Sequence, residues 1–163
     1  MSLDLENIDW DSVDKKVKKF SLEDDIRLAK CVNVYDGDTI QVVFPLQGIL
    51  YRWSCRLSGV DTPELRTKNK NEKKYGYEVR DALRKKILNK MIVLHCGEFD
   101  KYGRLLGKVY LKTDGQEGGG EEDEKEDDPS INKWLIDNEY AFAYDGGTKK
   151  NWETYLLDKA NNQ

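Results

Sequence analysis

The feature that most restricts this chain is Asp36-Gly37-Asp38, set between two runs rich in valine and isoleucine, 28–35 and 39–44. Asp-Gly between apolar runs favours a tight hairpin, because the turn needs residues that tolerate positive φ. A third run of the same kind, 50–58, follows directly. The chain therefore opens its folded part as a three-stranded meander.

The pattern then changes period. A polar, lysine-rich loop is expected over 65–74. After it Val79, Ala82, Leu83, Ile87 and Leu88 recur at three- and four-residue spacing, with Arg80, Arg84, Lys85 and Lys86 between them. That spacing predicts an amphipathic helix. Strands are expected at 91–96 and 105–112, joined through the turn Asp100-Lys101-Tyr102-Gly103. A second helix should begin at Pro129, with Asp128 as its cap and Ile131, Trp134 and Leu135 inside. Extended chain at 139–144, a turn at Asp145-Gly146-Gly147 and a last helix at 149–160, burying Trp152, Tyr155 and Leu156, complete the order. Three strands, a helix, two strands and further helices fit an α+β, mainly β chain. The expected architecture is a five-stranded Greek-key barrel of the OB-fold type with about three helices.

Residues 1–25 read as an N-terminal extension to a domain at 26–163. Trp10, Val13, Val17 and Phe20 lie at near-helical spacing there, which suits a short docked helix or a loose tail. The segment 116–128 is a low-complexity acidic loop that has little apolar area to bury and should be disordered. Charge is distributed accordingly. Residues 117–128 carry eight acids and one lysine, a net of −7, and residues 1–28 carry −3. Removing both from the whole-chain −4 leaves +6 on the remainder, so the body is basic. The acidic loop is read as a solvated insertion, with repulsion or mimicry of nucleic acid as the other possibilities.

Three cysteines, Cys31, Cys55 and Cys96, are an odd number at wide spacing. They argue against a disulfide framework or a zinc site and for buried free thiols in a reducing compartment. The lone histidine, His95, sits in an apolar strand and reads as a core or edge residue. No apolar run approaches the roughly 20 residues of a membrane span. No apolar leader is visible either, so an intracellular or virus-associated location is expected.

The chemistry-bearing residues fall in the meander. Asp36-Gly-Asp-Thr39 is followed by Arg56-Leu-Ser-Gly-Val-Asp-Thr-Pro-Glu64. Phosphodiester chemistry needs a cation, a base for a water nucleophile and donors fixed around the developing charge. Asp38 and Asp61 offer hard oxygen ligands. Arg56 offers a bidentate fork to phosphate. Glu64, held by the Thr62-Pro63 turn, offers a general base. Taken singly, each run also reads as an ordinary turn or surface ion pair.

Taken in order, these runs resemble the staphylococcal-nuclease family. Asp36-Gly-Asp-Thr39, Arg56 to Glu64, Lys74-Tyr-Gly76 and Asp100-Lys-Tyr-Gly-Arg104 carry the resemblance, which spans about 27–160. It implies a calcium-dependent endonuclease that hydrolyses DNA and RNA, with the 5′-oxygen leaving and 3′-phosphate products. By resemblance Asp38 and Asp61 are calcium ligands, and Thr62 lends a backbone carbonyl. Asp36 shapes their shell. Glu64 is the general base, and Arg56 and Arg104 grip the phosphate. Lys101 and Tyr102 contact a neighbouring terminal phosphate, and Tyr144 is the best match to a base-stacking aromatic. The acidic segment and the Asp145-Gly-Gly-Thr turn depart from the family. A catalytically inactive module binding nucleic acid or peptide is the rival reading. It would be expected to lack one of Asp38, Arg56, Asp61, Glu64 and Arg104, all of which are present. A monomer is expected.

Overall fold

The computed structural model describes residues 4–113 and 128–162. The acidic loop expected at 116–128 lies outside the described residues, apart from Asp128.

Five strands close into a barrel. They are β1 (Ile26–Val34), β2 (Thr39–Leu46), β3 (Ile49–Leu57), β5 (Met91–Phe99) and β6 (Leu105–Leu111), in the spatial order β1-β2-β3-β6-β5. Four pairings are antiparallel, and β3 runs parallel to β6. This is the five-stranded barrel of the OB class. Inward-facing residues alternate along each strand, as in Ile40, Val42 and Phe44 on β2, all buried. Closure removes the free edges that an open five-stranded sheet would present.

The cysteines lie in this interior. Cys31, Cys55 and Cys96 are buried free thiols, as expected from their spacing. Burial pushes the Cys55 thiol up to about 12, and its neighbours Cys96 and Cys31 add to the effect. His95 is exposed on the outer face of β5, its ring 4.7 Å from that of Tyr110, and its strand is paired on both sides, so it is neither a core nor an edge residue.

A second, two-stranded sheet pairs β4 (Val60–Asp61) with β7 (Phe142–Ala143). Helices α1 (Lys70–Ile87), α2 (Ile131–Asp137) and α3 (Trp152–Asn161) pack outside the barrel. Helix α1 buries Val79, Leu83 and Ile87, the stripe expected from their spacing. It starts inside the expected 65–74 loop, because Asn69 caps it by accepting from the Glu72 amide at 2.8 Å. Helix α2, by contrast, begins later than expected. Ser130, not Asp128, is its cap and accepts from the Lys133 amide at 3.0 Å. Asp128 instead accepts from the Ser130 amide at 2.9 Å, which turns the chain into the cap.

Among its described residues the extension forms two single 3-10 turns, Leu5–Asn7 and Trp10–Ser12, and no docked helix. Trp10, Val13, Val17 and Phe20 are all exposed. Contact with the barrel begins at Phe20, whose ring centre lies 6.1 Å from that of Phe99, and is complete where Leu22 is buried. Asp24 and Asp25 then exchange backbone hydrogen bonds with Cys96, each at 2.9 Å.

Candidate functional site

Sheet register brings the separated motifs together. Thr39, the first residue of β2, stands opposite Arg56 of β3. On the other side, parallel pairing sets Arg56 beside Leu106, so the chain entering β6 delivers Arg104 next to the same place. Three segments remote in sequence thus meet because a closed barrel must pair its strands.

The Asp36 side chain shapes the hairpin by accepting from the backbone amides of Asp38 at 3.1 Å and Thr39 at 2.8 Å. Gly37 is required at the turn's centre by close packing and not, as expected, by positive φ, which none of residues 36–38 adopts. A Cβ there would lie 2.8 Å from Val79 Cγ1 and 2.9 Å from both Thr62 Cβ and Oγ1. The turn therefore lies directly against Thr62, and Asp38 is brought to the same region.

The arginines are fixed by their partners. Arg56 Nη2 lies 3.3 Å from Asp38 Oδ2 and donates to the Val60 carbonyl at 2.8 Å, while Nη1 donates to the Leu57 carbonyl. It thereby ties the hairpin to β4, whose last residue is Asp61. Arg104 donates to Asp100 Oδ2 at 2.8 Å and to Thr39 Oγ1 at 3.1 Å. Thr39 Oγ1 in turn donates to Asp38 Oδ1 at 3.0 Å. One polar chain therefore runs Arg56–Asp38–Thr39–Arg104–Asp100. Burial alone would raise the Asp100 carboxyl. Hydrogen bonds from Arg104 and from the Tyr102 amide outweigh it and hold the carboxyl below the usual carboxylate range.

Asp61 is only 3% exposed, and its Oδ2 has no hydrogen-bond partner. Burial raises its carboxyl. The nearby Lys149 ammonium pulls the other way, and Asp38 adds to the rise. Asp36 is pushed up to about 7, chiefly by burial and next by the charge of Asp38. These carboxylates are crowded, with Arg56 beside Asp38 and Lys149 beside one oxygen of Asp61. A buried oxygen without a partner, next to a second carboxylate, fits a hard cation, since Asp38, Asp61 and the Thr62 carbonyl supply only oxygen. The fit is an open one. Among the described residues no three His, Cys, Asp or Glu side chains gather around one point, so water and substrate oxygens would complete the shell.

Glu64 lies further out and its side chain is 58% exposed. Its backbone is pinned, because its amide donates to Glu72 Oε1 at 3.1 Å from the first turn of α1. Gly76 allows this approach. A Cβ there would stand 3.1 Å from the Pro63 carbonyl oxygen and 3.2 Å from that of Glu64. Lys101 and Tyr102 sit at the exposed β5–β6 turn, with Lys101 Nζ 5.1 Å and the Arg104 guanidinium 5.5 Å from the Tyr102 ring centre. Tyr144 follows β7 and donates its amide to the Gly59 carbonyl at 2.9 Å. It lines one cleft with Asp61, while Glu64 and Asp61 line the next.

Sequence reasoning missed Thr39, Asp100, Glu72 and Lys149 as parts of this cluster. Asp100 carried a signal. It opens the turn that ends at Arg104, and a carboxylate there accepts both the Tyr102 amide at 2.8 Å and the Arg104 amide at 2.9 Å. Lys149 carried none, because its place depends on how the 145–151 loop folds back.

The family's sequence profile, described as staphylococcal nuclease homologue, matches residues 54–163. The chain belongs to that family. Among similar proteins, a thermonuclease of Staphylococcus hyicus is 36% identical over 50% of this chain and 47% of its own length. An uncharacterized endonuclease of Escherichia coli is 31% identical over 50% of this chain and 46% of its own. An uncharacterized protein of Methanocaldococcus jannaschii is 32% identical over 52% and 48%. The chain spans about half the length of these relatives. The matched span begins after the Asp36-Gly37-Asp38 hairpin, and the barrel register joins that hairpin to it. Membership supports a nuclease type of function at the level of the family.

Proposed function

We propose that this protein is a calcium-dependent endonuclease that hydrolyses phosphodiester bonds of DNA and RNA and leaves 3′-phosphate products. The observation that carries the proposal is the meeting of Arg56 and Arg104 on either side of the Asp38–Thr39 pair, beside the buried carboxylate of Asp61. Two guanidiniums held in place before substrate arrives are donors that need no reorganisation as charge develops. In this proposal the enzyme is a monomer, because none of the assigned roles calls for a residue from a second subunit.

In this reading Asp38, Asp61 and the Thr62 carbonyl hold calcium, which when bound acts as a Lewis acid on the phosphate. Arg56 and Arg104 face the non-bridging oxygens and offset the charge that builds there. Glu64 accepts a proton from a water as the water oxygen forms its bond to phosphorus. The P–O5′ bond breaks, its electron pair stays on the 5′-oxygen, and that oxygen takes a proton from solvent. Lys101 and Tyr102 contact the neighbouring terminal phosphate, and the Tyr144 ring stacks on a base.

The test is cleavage of a labelled single-stranded DNA with calcium, then with chelator, by the natural protein and by Glu64→Gln. Cleavage should require calcium and should fall about 10²- to 10⁴-fold in the variant. A variant that cuts at full rate sinks the assignment of the base. Binding without cleavage, under any divalent ion, replaces the enzyme with a nucleic-acid-binding module.

A further inference from the structure

The acidic cluster has a cation of its own. Lys149 Nζ lies 3.6 Å from Asp61 Oδ1 and 3.8 Å from Glu64 Oε1. Directed ammonium–carboxylate bonds are about 2.7–2.9 Å long. The side chain is therefore held by charge and not by a directed bond, and it is 48% exposed. Its carrier is the loop between β7 and α3, where Gly146 adopts φ 95°. The loop is tethered locally by the Asp145 side chain, which accepts the Gly147 amide at 3.0 Å, and by the Asn151 cap of α3. Neither tether involves the Lys149 side chain. Asp61 thus turns one oxygen to a loosely held ammonium and keeps the other unpartnered.

We propose that Lys149 is an internal counter-cation that competes with the divalent cation for Asp61 and so sets how tightly this protein takes up its metal. The inference rests on the reading of Asp61 as a cation ligand. An ion approaching Asp61 meets a positive charge already placed between Asp61 and Glu64, and the two repel. The ammonium must leave before the ion gains the full field of the carboxylate. Its exposure and its undirected contacts let it do so without breaking a hydrogen bond. Its departure also removes the charge beside the Glu64 carboxylate, so one movement prepares the ligand and the base together. The neighbouring Lys150 is a natural comparison. Its Nζ lies 5.0 Å from the Phe142 ring centre, and among the described ion pairs it makes none with Asp61 or Glu64.

The experiment is calcium titration by calorimetry, without nucleic acid, on the full chain. It compares the natural protein with Lys149→Gln, Lys149→Arg and Lys150→Gln, and cleavage of labelled DNA is followed in parallel. Lys149→Gln should bind calcium about three- to tenfold more tightly, the range expected for release of a partly exposed ion pair. Lys149→Arg and Lys150→Gln should stay near the natural affinity. In chelator Lys149→Gln should melt at a lower temperature, and calcium should raise its melting temperature more than it raises that of the natural protein. Unchanged or weaker calcium binding by Lys149→Gln overturns the competition, and with the natural protein still binding and cutting, only this inference is lost. An equal gain in Lys150→Gln overturns it too, by reducing the effect to net charge. If neither the natural protein nor Lys149→Gln takes up calcium, the cation reading of Asp61 falls and this inference falls with it.

Discussion

At the scale of single residues, the candidate site is organised in part by side chains to which the proposed reaction gives no role. Asp100 is the clearest case. It accepts two backbone amides and the Arg104 guanidinium, so it fixes the turn and aims the arginine together. Its carboxyl ionises more readily in the folded chain than in the unfolded one, whose carboxyl has a pKa of about 3.9. The folded chain therefore binds fewer protons at this group, and its contribution to stability is fully present above the unfolded value. That contribution is lost as pH falls through the lower folded value. Asp100→Asn keeps an oxygen for the amides and loses the charge on Arg104. The stability gap between the natural protein and Asp100→Asn should thus be open at pH 6 and narrow below about pH 4. Urea midpoints across that range check this, and a gap independent of pH contradicts it.

At the scale of elements, the sequence was legible wherever a local pattern decides the structure. The hairpin at Asp36-Gly37-Asp38, the alternation in β2 and the stripe Val79, Leu83, Ile87 all announce themselves, because each reports one face of one element. Helix starts were displaced, because caps compete. Asp128 and Ser130 are both good capping residues, and only packing of Ile131 and Leu135 selects Ser130. Of the two readings of the extension, the docked helix does not form, for a related reason. Its apolar spacing suits a helix, but nothing in the barrel receives Trp10, Val13 or Val17, and an isolated short helix is marginal without a partner. Gly76 shows how an element positions the site at its own expense. Glycine inside a helix costs about 1 kcal/mol against alanine, yet here it lets the 63–65 backbone lie on α1. Gly76→Ala gains helix propensity and presses a methyl group against two carbonyls that lead into and out of Glu64. Melting temperature should change by only a few degrees, while kcat/KM on DNA falls about tenfold from displacement of Glu64. A Gly76→Ala protein that is both more stable and fully active shows that the close approach does not position the base.

At the scale of the whole molecule, closure of the barrel turns several ordinary turns into one surface. Sequence order could not reveal that Arg56 and Arg104 share Asp38 and Thr39 through a short polar chain, because that fact belongs to the parallel β3–β6 pairing. Nor does the overall charge of −4 describe what a polyanion meets at this end of the barrel. Attraction is local over a Debye length of about 8–10 Å, so the charges within that reach of Arg56 and Arg104 matter more than the sum over the chain. Binding of single-stranded DNA in chelator should then weaken linearly in log–log form with salt. Each phosphate neutralised contributes a slope of about −0.7. Arg104→Ala should lower the magnitude of that slope by about one such contact, ~0.7. Lys90→Ala should leave it unchanged, because Lys90 precedes Met91, at the opposite end of β5 from Asp100 and Arg104. Equal losses in the two variants assign binding to diffuse charge over the body of the protein. A loss confined to Arg104→Ala ties the polyanion to the end of the barrel where Asp38, Arg56 and Asp61 meet.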